Sequence, residues 1–188
     1  MAGAGTQYLA LIRGINVGGK NLVKMDELRA ACESDLGLAD VSTYIASGNV
    51  LFKAPRGKQQ DLAERIEDGL TKRFGIELKV VLLTRSQFGE VLSGAPEGFG
   101  APTDRCDVCF LRPPLTPKQA FAAMELKEGV DRAWVGKRVV YFARLEKRAS
   151  SSRLSRFVMK PEYKNVTIRS WSTTRKLGAL LDLPVPGA

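Results

Sequence analysis

Short apolar runs closed by glycine, proline or asparagine alternate along this chain with segments whose apolar residues recur every three to four positions. Tyr8–Ile12 is an unbroken apolar run stopped by glycines, which predicts a strand. Met25, Leu28, Cys32 and Leu36 have helical spacing, and Gly37 is a stop signal, so a helix is expected over Met25–Leu36. Val41–Ala46 and Val50–Lys53 are rich in strand formers and read as a hairpin joined across Ser47-Gly48-Asn49. Gln59–Phe74 carries Leu62, Ile66 and Leu70 on one helical face and ends at Gly75. A strand over Ile76–Leu83 and a short helix over Ser86–Leu92 complete the order β-α-β-β-α-β-α.

After a Gly- and Pro-containing loop, Ser93–Asp104, the order repeats. Cys106–Leu111 reads as a strand. Thr116 is placed to cap a helix with Pro117 at its first position, running to about Leu126. Val130–Val135 and Arg138–Ala143 form a second hairpin across Gly136-Lys137. A helix over Ser151–Lys160 halted by Pro161, a strand over Val166–Arg169 and a helix over Thr173–Leu181 follow. The first strands of the halves end alike, in Ile12-Arg13 and Leu111-Arg112, and the last strands lead into Thr84-Arg85-Ser86 and Arg169-Ser170.

The β-α-β-β-α-β order is that of the ferredoxin-like split βαβ motif. The expectation is an α+β fold built by tandem duplication of two such units, residues 1–94 and 95–188, each followed by a short extra helix and packed as one compact body. Tyr8–Ile12 and Val139–Ala143 are apolar on both faces. An antiparallel sheet with one wet face would alternate, so both sheet faces are expected to be covered. In this motif the first strand, first helix and second strand run up, down and up. The loop Arg13–Asn21 and the turn Ser47-Gly48-Asn49 are therefore expected on one rim.

That rim is the candidate site: Arg13, Asn16, Gly18, Gly19, Lys20, Asn21, Ser47, Gly48 and Asn49. It offers hydrogen-bond donors and glycine backbone amides and has no carboxylate, a set that suits an anion or a carbonyl. Gly14–Asn21 nearly spells G-x-x-x-x-G-K-[ST]. However, Asn21 lacks the hydroxyl that holds Mg²⁺, and hairpins imply an antiparallel sheet where a phosphate loop needs a parallel one. The same residues also have a purely structural use. Gly48 and Asn49 can supply positive φ for a hairpin, and Asn16 and Asn21 can cap turns.

Composition narrows the chemistry. The 188 residues contain no histidine, which removes Ser-His-Asp triads, Cys-His pairs and His-bearing metal sites. No catalytic residue, metal or cofactor is assigned from the sequence. The three cysteines are too few for a disulfide scaffold. Cys106 and Cys109 form C-x-x-C on a strand and not at a helix start, and with Cys32 they are expected in the core. No apolar run approaches the roughly 18 residues of a membrane span. Met1–Gly5 reads as a frayed end without the features of a signal peptide, and the tail through Ala188 as loose. A cytoplasmic monomer or weak dimer is expected, with no membrane partner.

Charge is unevenly spread. Residues 1–94 hold 12 basic and 11 acidic residues, whereas residues 95–188 hold 17 and 9. Within 137–176 there are 12 basic residues and two acidic ones, Glu146 and Glu162. A contiguous patch of Arg138, Arg144, Lys147, Arg148, Arg153, Arg156 and Lys160 would favour a nucleotide or nucleic acid, and scattered residues would favour solubility alone.

Four stretches resemble a known family. Ala10–Asn21, with Met25 and Leu28 after it, is similar to the opening of the domain of unknown function 1697 family. Thr43–Phe52 is similar to its T-Y-[IL]-x-S-G-N-V-x-F. Ser152-Arg153-Leu154 and Arg169–Leu177 resemble its end, where the family tends to read R-N-W-N-T-V-x-K-L. This adds Arg169, Trp171, Thr173 and Lys176 as a second motif. Ser170 and Ser172 stand where the family usually has asparagine, and Thr174 where it has valine. The resemblance implies a compact α+β protein of two ferredoxin-like halves and no established activity, substrate or cofactor.

Three functions are open at this point. The first is binding of a phosphate-bearing nucleotide or nucleic acid. The second is a histidine-free, metal-free enzyme with Ser47 as nucleophile, Lys20 nearby and the rim as oxyanion site. The third is a protein-interaction scaffold.

Overall fold

The computed structural model describes residues 5–186 and shows a mixed α+β protein with two four-stranded antiparallel sheets and several helices. The expected loose ends at Met1–Ala4 and at Gly187 and Ala188 lie outside the described residues. The chain divides between Phe88 and Gly89 into two compact units.

In the first unit the strands are β1 (Thr6–Arg13), β2 (Ala39–Tyr44), β3 (Asn49–Ala54) and β4 (Lys79–Thr84), in the spatial order β2-β3-β1-β4. The apolar β1 is central. It pairs antiparallel with β3 (Tyr8 opposite Phe52) and with β4 (Tyr8 opposite Thr84). Tyr8, Ala10 and Ile12 form one face of the core with Leu28 of α1 (Met25–Ala30) and Ile66 and Leu70 of α2 (Gln59–Phe74). Leu9 and Leu11, on the opposite face, are also fully buried, as an all-apolar strand requires. The apolar spacing and the Gly75 stop set α2 as expected. Gly75 takes the left-handed conformation (φ 66°), and its N–H donates to the Thr71 carbonyl.

Three elements differ from expectation. β2 covers Ala39–Tyr44, two residues ahead of the expected Val41–Ala46. The helix predicted over Met25–Leu36 is α-helical only to Ala30 and then widens into a π-turn, Ala31–Asp35, which leaves both Cys32 and Leu38 buried. The last strand starts at Lys79 and not at Ile76. Its partner β1 ends opposite it, with Arg13 facing Lys79, so no ladder exists for Ile76–Leu78 to join. α3 spans Arg85–Ser93.

In the second unit, β5 (Asp104–Leu111), β6 (Asp131–Val135), β7 (Val139–Leu145) and β8 (Val166–Ser170) lie in the order β6-β7-β5-β8. Thr116 and Gln119 form a capping box at the start of α4 (Pro117–Ala123), which stops three residues before the expected end because Met124 is extended. The helix expected over Ser151–Lys160 is largely absent. Glu146–Ser151 is a 3₁₀ segment, α5 is only Leu154–Val158, and Pro161 opens another 3₁₀ turn, Pro161–Asn165. The cause is a contact from far along the chain: the Arg153 N–H donates to the buried Asp131 carboxylate (2.9 Å), so no helical turn forms ahead of Leu154. α6 runs Trp171–Leu180, starting two residues earlier than expected. No helix among the described residues is long and apolar enough to cross a membrane.

Candidate functional site

The loop after β1 is a miniature hairpin. The Asn16 N–H donates to the Asn21 carbonyl (3.0 Å) and the Lys20 N–H to the Val17 carbonyl (3.0 Å). Gly18 and Gly19 form the two-residue tip, both with positive φ (57° and 73°), the combination that a tight hairpin turn demands. Nothing lies within 4 Å of where a side chain would begin at either glycine, so the tip backbone stands open to solvent.

The hairpin turn between β2 and β3 meets this loop on one rim. The Ile12 N–H donates to the Gly48 carbonyl (2.8 Å). The Asn16 side-chain amide donates to the carbonyls of Ala46 (2.8 Å) and Val23 (2.9 Å), while its oxygen accepts from the Val23 N–H (2.8 Å). Asn21 donates to the Gly14 carbonyl (2.7 Å). The fully buried Asn49 donates to the Tyr44 carbonyl (2.9 Å) and to Ser47 Oγ (3.0 Å). Gly48 is required by space as well as by its φ of 75°. A Cβ there would lie 2.9 Å from Ile15 Cδ1 and 3.0 Å from Ile12 Cβ.

The structure thus places all nine rim residues together, and the three asparagines spend their side-chain amides on holding loop and turn in place. What faces outward is the Gly18-Gly19 backbone and Lys20, with Lys24 beyond it and the half-buried Arg13 at the strand end. Ser47 Oγ accepts from an amide, which cannot serve as a general base. Three apolar residues are also exposed here: Val17, Leu22 and Ile45, at 69%, 76% and 47%. Ile45 has φ 48°, a region that a β-branched residue rarely occupies. Apolar exposure on the rim was not read from the sequence, because all three residues sit in patterns that look like strand or loop edges.

The second motif is built around the start of α6. Ser170 is the N-cap: its hydroxyl accepts from the Thr173 N–H (3.2 Å) and lies 3.0 Å from both Ser172 Oγ and Thr173 Oγ1. Trp171 is buried and meets Phe99 edge-on (ring centroids 5.2 Å). Arg169 is buried on β8, donates to the Ile168 carbonyl, and is pushed down to about 10 by burial. Lys176 is exposed. Trp171 and Arg169 are therefore interior parts, and Thr173 belongs to the cap.

The basic stretch of the second unit is partly neutralised from elsewhere in the chain. Arg144 pairs with Asp107 (2.6 Å), Arg138 with Glu90 (3.8 Å), and Arg156 and Lys160 both with Glu125 (3.2 and 3.0 Å). Four of the seven cations that could form a patch are thus tied to carboxylates. The three cysteines are buried and free of disulfides, and desolvation raises all three thiols. Such thiols are poor nucleophiles.

A family model described as a protein of unknown function, DUF1697, matches residues 6–141. Among solved structures the chain is similar to a conserved bacterial protein from Streptococcus pneumoniae, SP0830. The two share 32% identity over 95% of this chain and 99% of that one, with a TM-score of 0.82. A comparison with curated proteins gives no match.

Proposed function

The chain belongs to the DUF1697 family, whose function is unknown, and from that premise we propose that it is a binding protein for a phosphate-bearing polyanion, a nucleotide or nucleic acid, that contacts the rim of the first unit. The observation that carries this reading is the open, positive-φ Gly18-Gly19 tip with the exposed Lys20 next to it and no carboxylate among the nine rim residues. Backbone amides at such a tip, with nearby cations, attract phosphate oxygens. The ion pairing in the second unit reduces the charge it offers, so the rim is the primary contact and the second unit adds only general attraction.

The same proposal covers architecture and setting. We read each unit as a ferredoxin-like split βαβ, the pair arising by duplication with halves 1–94 and 95–188, and the protein as a cytoplasmic monomer or weak dimer. The shared strand order of the two sheets supports this.

The test is fluorescence anisotropy with labelled single-stranded RNA and DNA and with a labelled nucleotide, across a salt series. Binding that weakens steeply with salt, and that Lys20→Glu weakens further, is the expected result. Absence of binding at low salt overturns it. A second reading, a protein-interaction surface, draws on the exposed Val17, Leu22 and Ile45. It predicts salt-insensitive self-association or partner binding that Leu22→Ser abolishes.

A further inference from the structure

In the second unit β5 outruns its neighbour. The ladder between β5 and β8 ends with Asp107 opposite Ser170, where the chain turns into α6, whereas β5 itself begins three residues earlier, at Asp104. The overhanging start of β5 and the start of α6 border a concavity of about 400 Å³, with Gly100 and the buried Trp171 among its walls. This volume is within the range of small-molecule sites. Two of the arginines that line it are committed within the protein. Arg144 grips Asp107 at 2.6 Å, and Arg105 holds Glu146 through two bonds of 2.6 and 2.7 Å.

Asp104 is different. It lines the concavity, and its side chain is only 5% exposed. Oδ2 accepts from Arg132, but Oδ1 is buried and has no hydrogen-bond partner. A buried carboxylate oxygen left without a donor is costly. Arg132 already balances the charge, so what Oδ1 lacks is a neutral N–H or O–H donor and not a second cation.

The other end of the concavity has the opposite need. The ten-residue α6 starts there, and its N-cap Ser170 accepts only from the Thr173 N–H. The two N–H groups before it, of Trp171 and Ser172, have no partner within the helix and sit at the positive end of its dipole. The exposed Ser172 lines the concavity beside them, its hydroxyl 3.0 Å from that of Ser170. This end suits an anion. Three residues of extended strand separate Asp104 from the Asp107–Ser170 pair, about 10 Å. The occupant therefore carries a neutral donor at one end and an anion at the other, separated by that span. The exocyclic amine of a nucleobase and the 5′-phosphate of the same nucleotide have this relation.

We propose that the second-unit concavity binds a mononucleotide whose base carries an exocyclic amine. The amine donates to Asp104 Oδ1, and the phosphate takes the Trp171 and Ser172 N–H groups and the Ser172 hydroxyl. The inference does not rest on the rim reading, which concerns the loop after β1 in the other unit.

The experiment is an NMR titration of the full-length protein, at constant ionic strength, with AMP, with purine riboside 5′-monophosphate, which lacks only the amine, and with adenosine, which lacks the phosphate. Saturable AMP shifts are expected at the amides of Asp104–Cys106 and Trp171–Thr173, with affinity at least about tenfold above that of either analogue. In D104N, Arg132 keeps the amide oxygen and the NH₂ group faces the ligand, so the preference for AMP over the amine-free analogue is lost. S172E places a carboxylate in the first turn of α6, where it suits the helix, so Tm holds while AMP binding falls by at least about tenfold and adenosine binding does not. K20E on the rim leaves all of these unchanged. The proposal is overturned by no saturable shift at those amides, by equal affinity for AMP and the amine-free analogue, or by AMP shifts confined to Gly18–Lys20 and abolished by K20E. The last result would leave the rim reading standing alone.

Discussion

Asn16 and Ala46 stand 30 residues apart in sequence, yet the Asn16 side-chain amide donates to the Ala46 carbonyl at 2.8 Å. The same side chain clasps Val23 through both its carbonyl and its N–H. One asparagine thus joins the loop after β1 to the β2–β3 turn and fixes the start of the segment leading into α1. Its own φ of 53° is one that asparagine tolerates better than most residues. Asn16→Ala removes three hydrogen bonds and strains the backbone, so it should lower stability by about 1–3 kcal/mol. Asn16→Gly, which relieves the backbone but not the bonds, should recover only part of the loss. Urea unfolding of the two variants checks this, and equal stability of Asn16→Ala and the parent would show that the clasp is idle.

Gly48 and Gly18 both have positive φ, but only Gly48 is enclosed. Gly18→Ala meets open space and should cost about 1 kcal/mol from backbone strain alone. Gly48→Ala drives a methyl to 3.1 Å from the Ile12 carbonyl oxygen and closer still to two isoleucine side chains. Its cost should exceed that of Gly18→Ala by about 1–3 kcal/mol. Thermal denaturation of the pair measures the difference, and a similar Tm for both would mean that the turn shifts freely.

Ser170 stands where the family usually has asparagine, and it caps α6. Serine and asparagine are near-equal caps, whereas alanine is not. Ser170→Asn should therefore leave stability unchanged within about 0.5 kcal/mol, and Ser170→Ala should cost about 1 kcal/mol. If Ser170→Asn instead destabilised the fold by as much as Ser170→Ala, the contacts to Ser172 and Thr173 would outweigh the cap.

Much of the architecture was legible because it rests on local signals. Gly75 ended α2 where it should, Thr116 and Pro117 started α4, and the apolar β1 and β7 announced central, doubly buried strands. The shared rim was legible too, since chain direction in a β-α-β-β order puts both turns at one end. What failed depended on distant partners. Asp131 captures the Arg153 N–H from 22 residues away and denies α5 its first turns. The basic look of 137–176 concealed Glu90, Asp107 and Glu125, which reach it from other parts of the chain. The concavity beside Asp104 left no trace in the sequence, because an aspartate that closes a Gly- and Pro-containing loop reads as a turn residue.

Acid should loosen this protein through three exposed carboxylates. The Lys160 hydrogen bond, joined by Arg156, holds Glu125 below its ordinary value of 4.5. The Lys137 hydrogen bond does the same to Glu90, and the Arg105 hydrogen bond to Glu146. A carboxyl depressed in the folded state binds its proton less tightly there than in the unfolded chain. Its contribution is complete above the ordinary carboxylate value and is lost as pH falls through the lowered one. The urea midpoint should therefore stay level from neutral pH down to about 5 and then decline. All three pairs are solvent-screened, so the decline attributable to them is modest and should shrink further in high salt. Glu90→Gln, Glu125→Gln and Glu146→Gln combined should be slightly less stable at neutral pH and show a flatter acid limb. An acid limb as steep in the triple variant as in the parent would assign the pH dependence to other carboxylates.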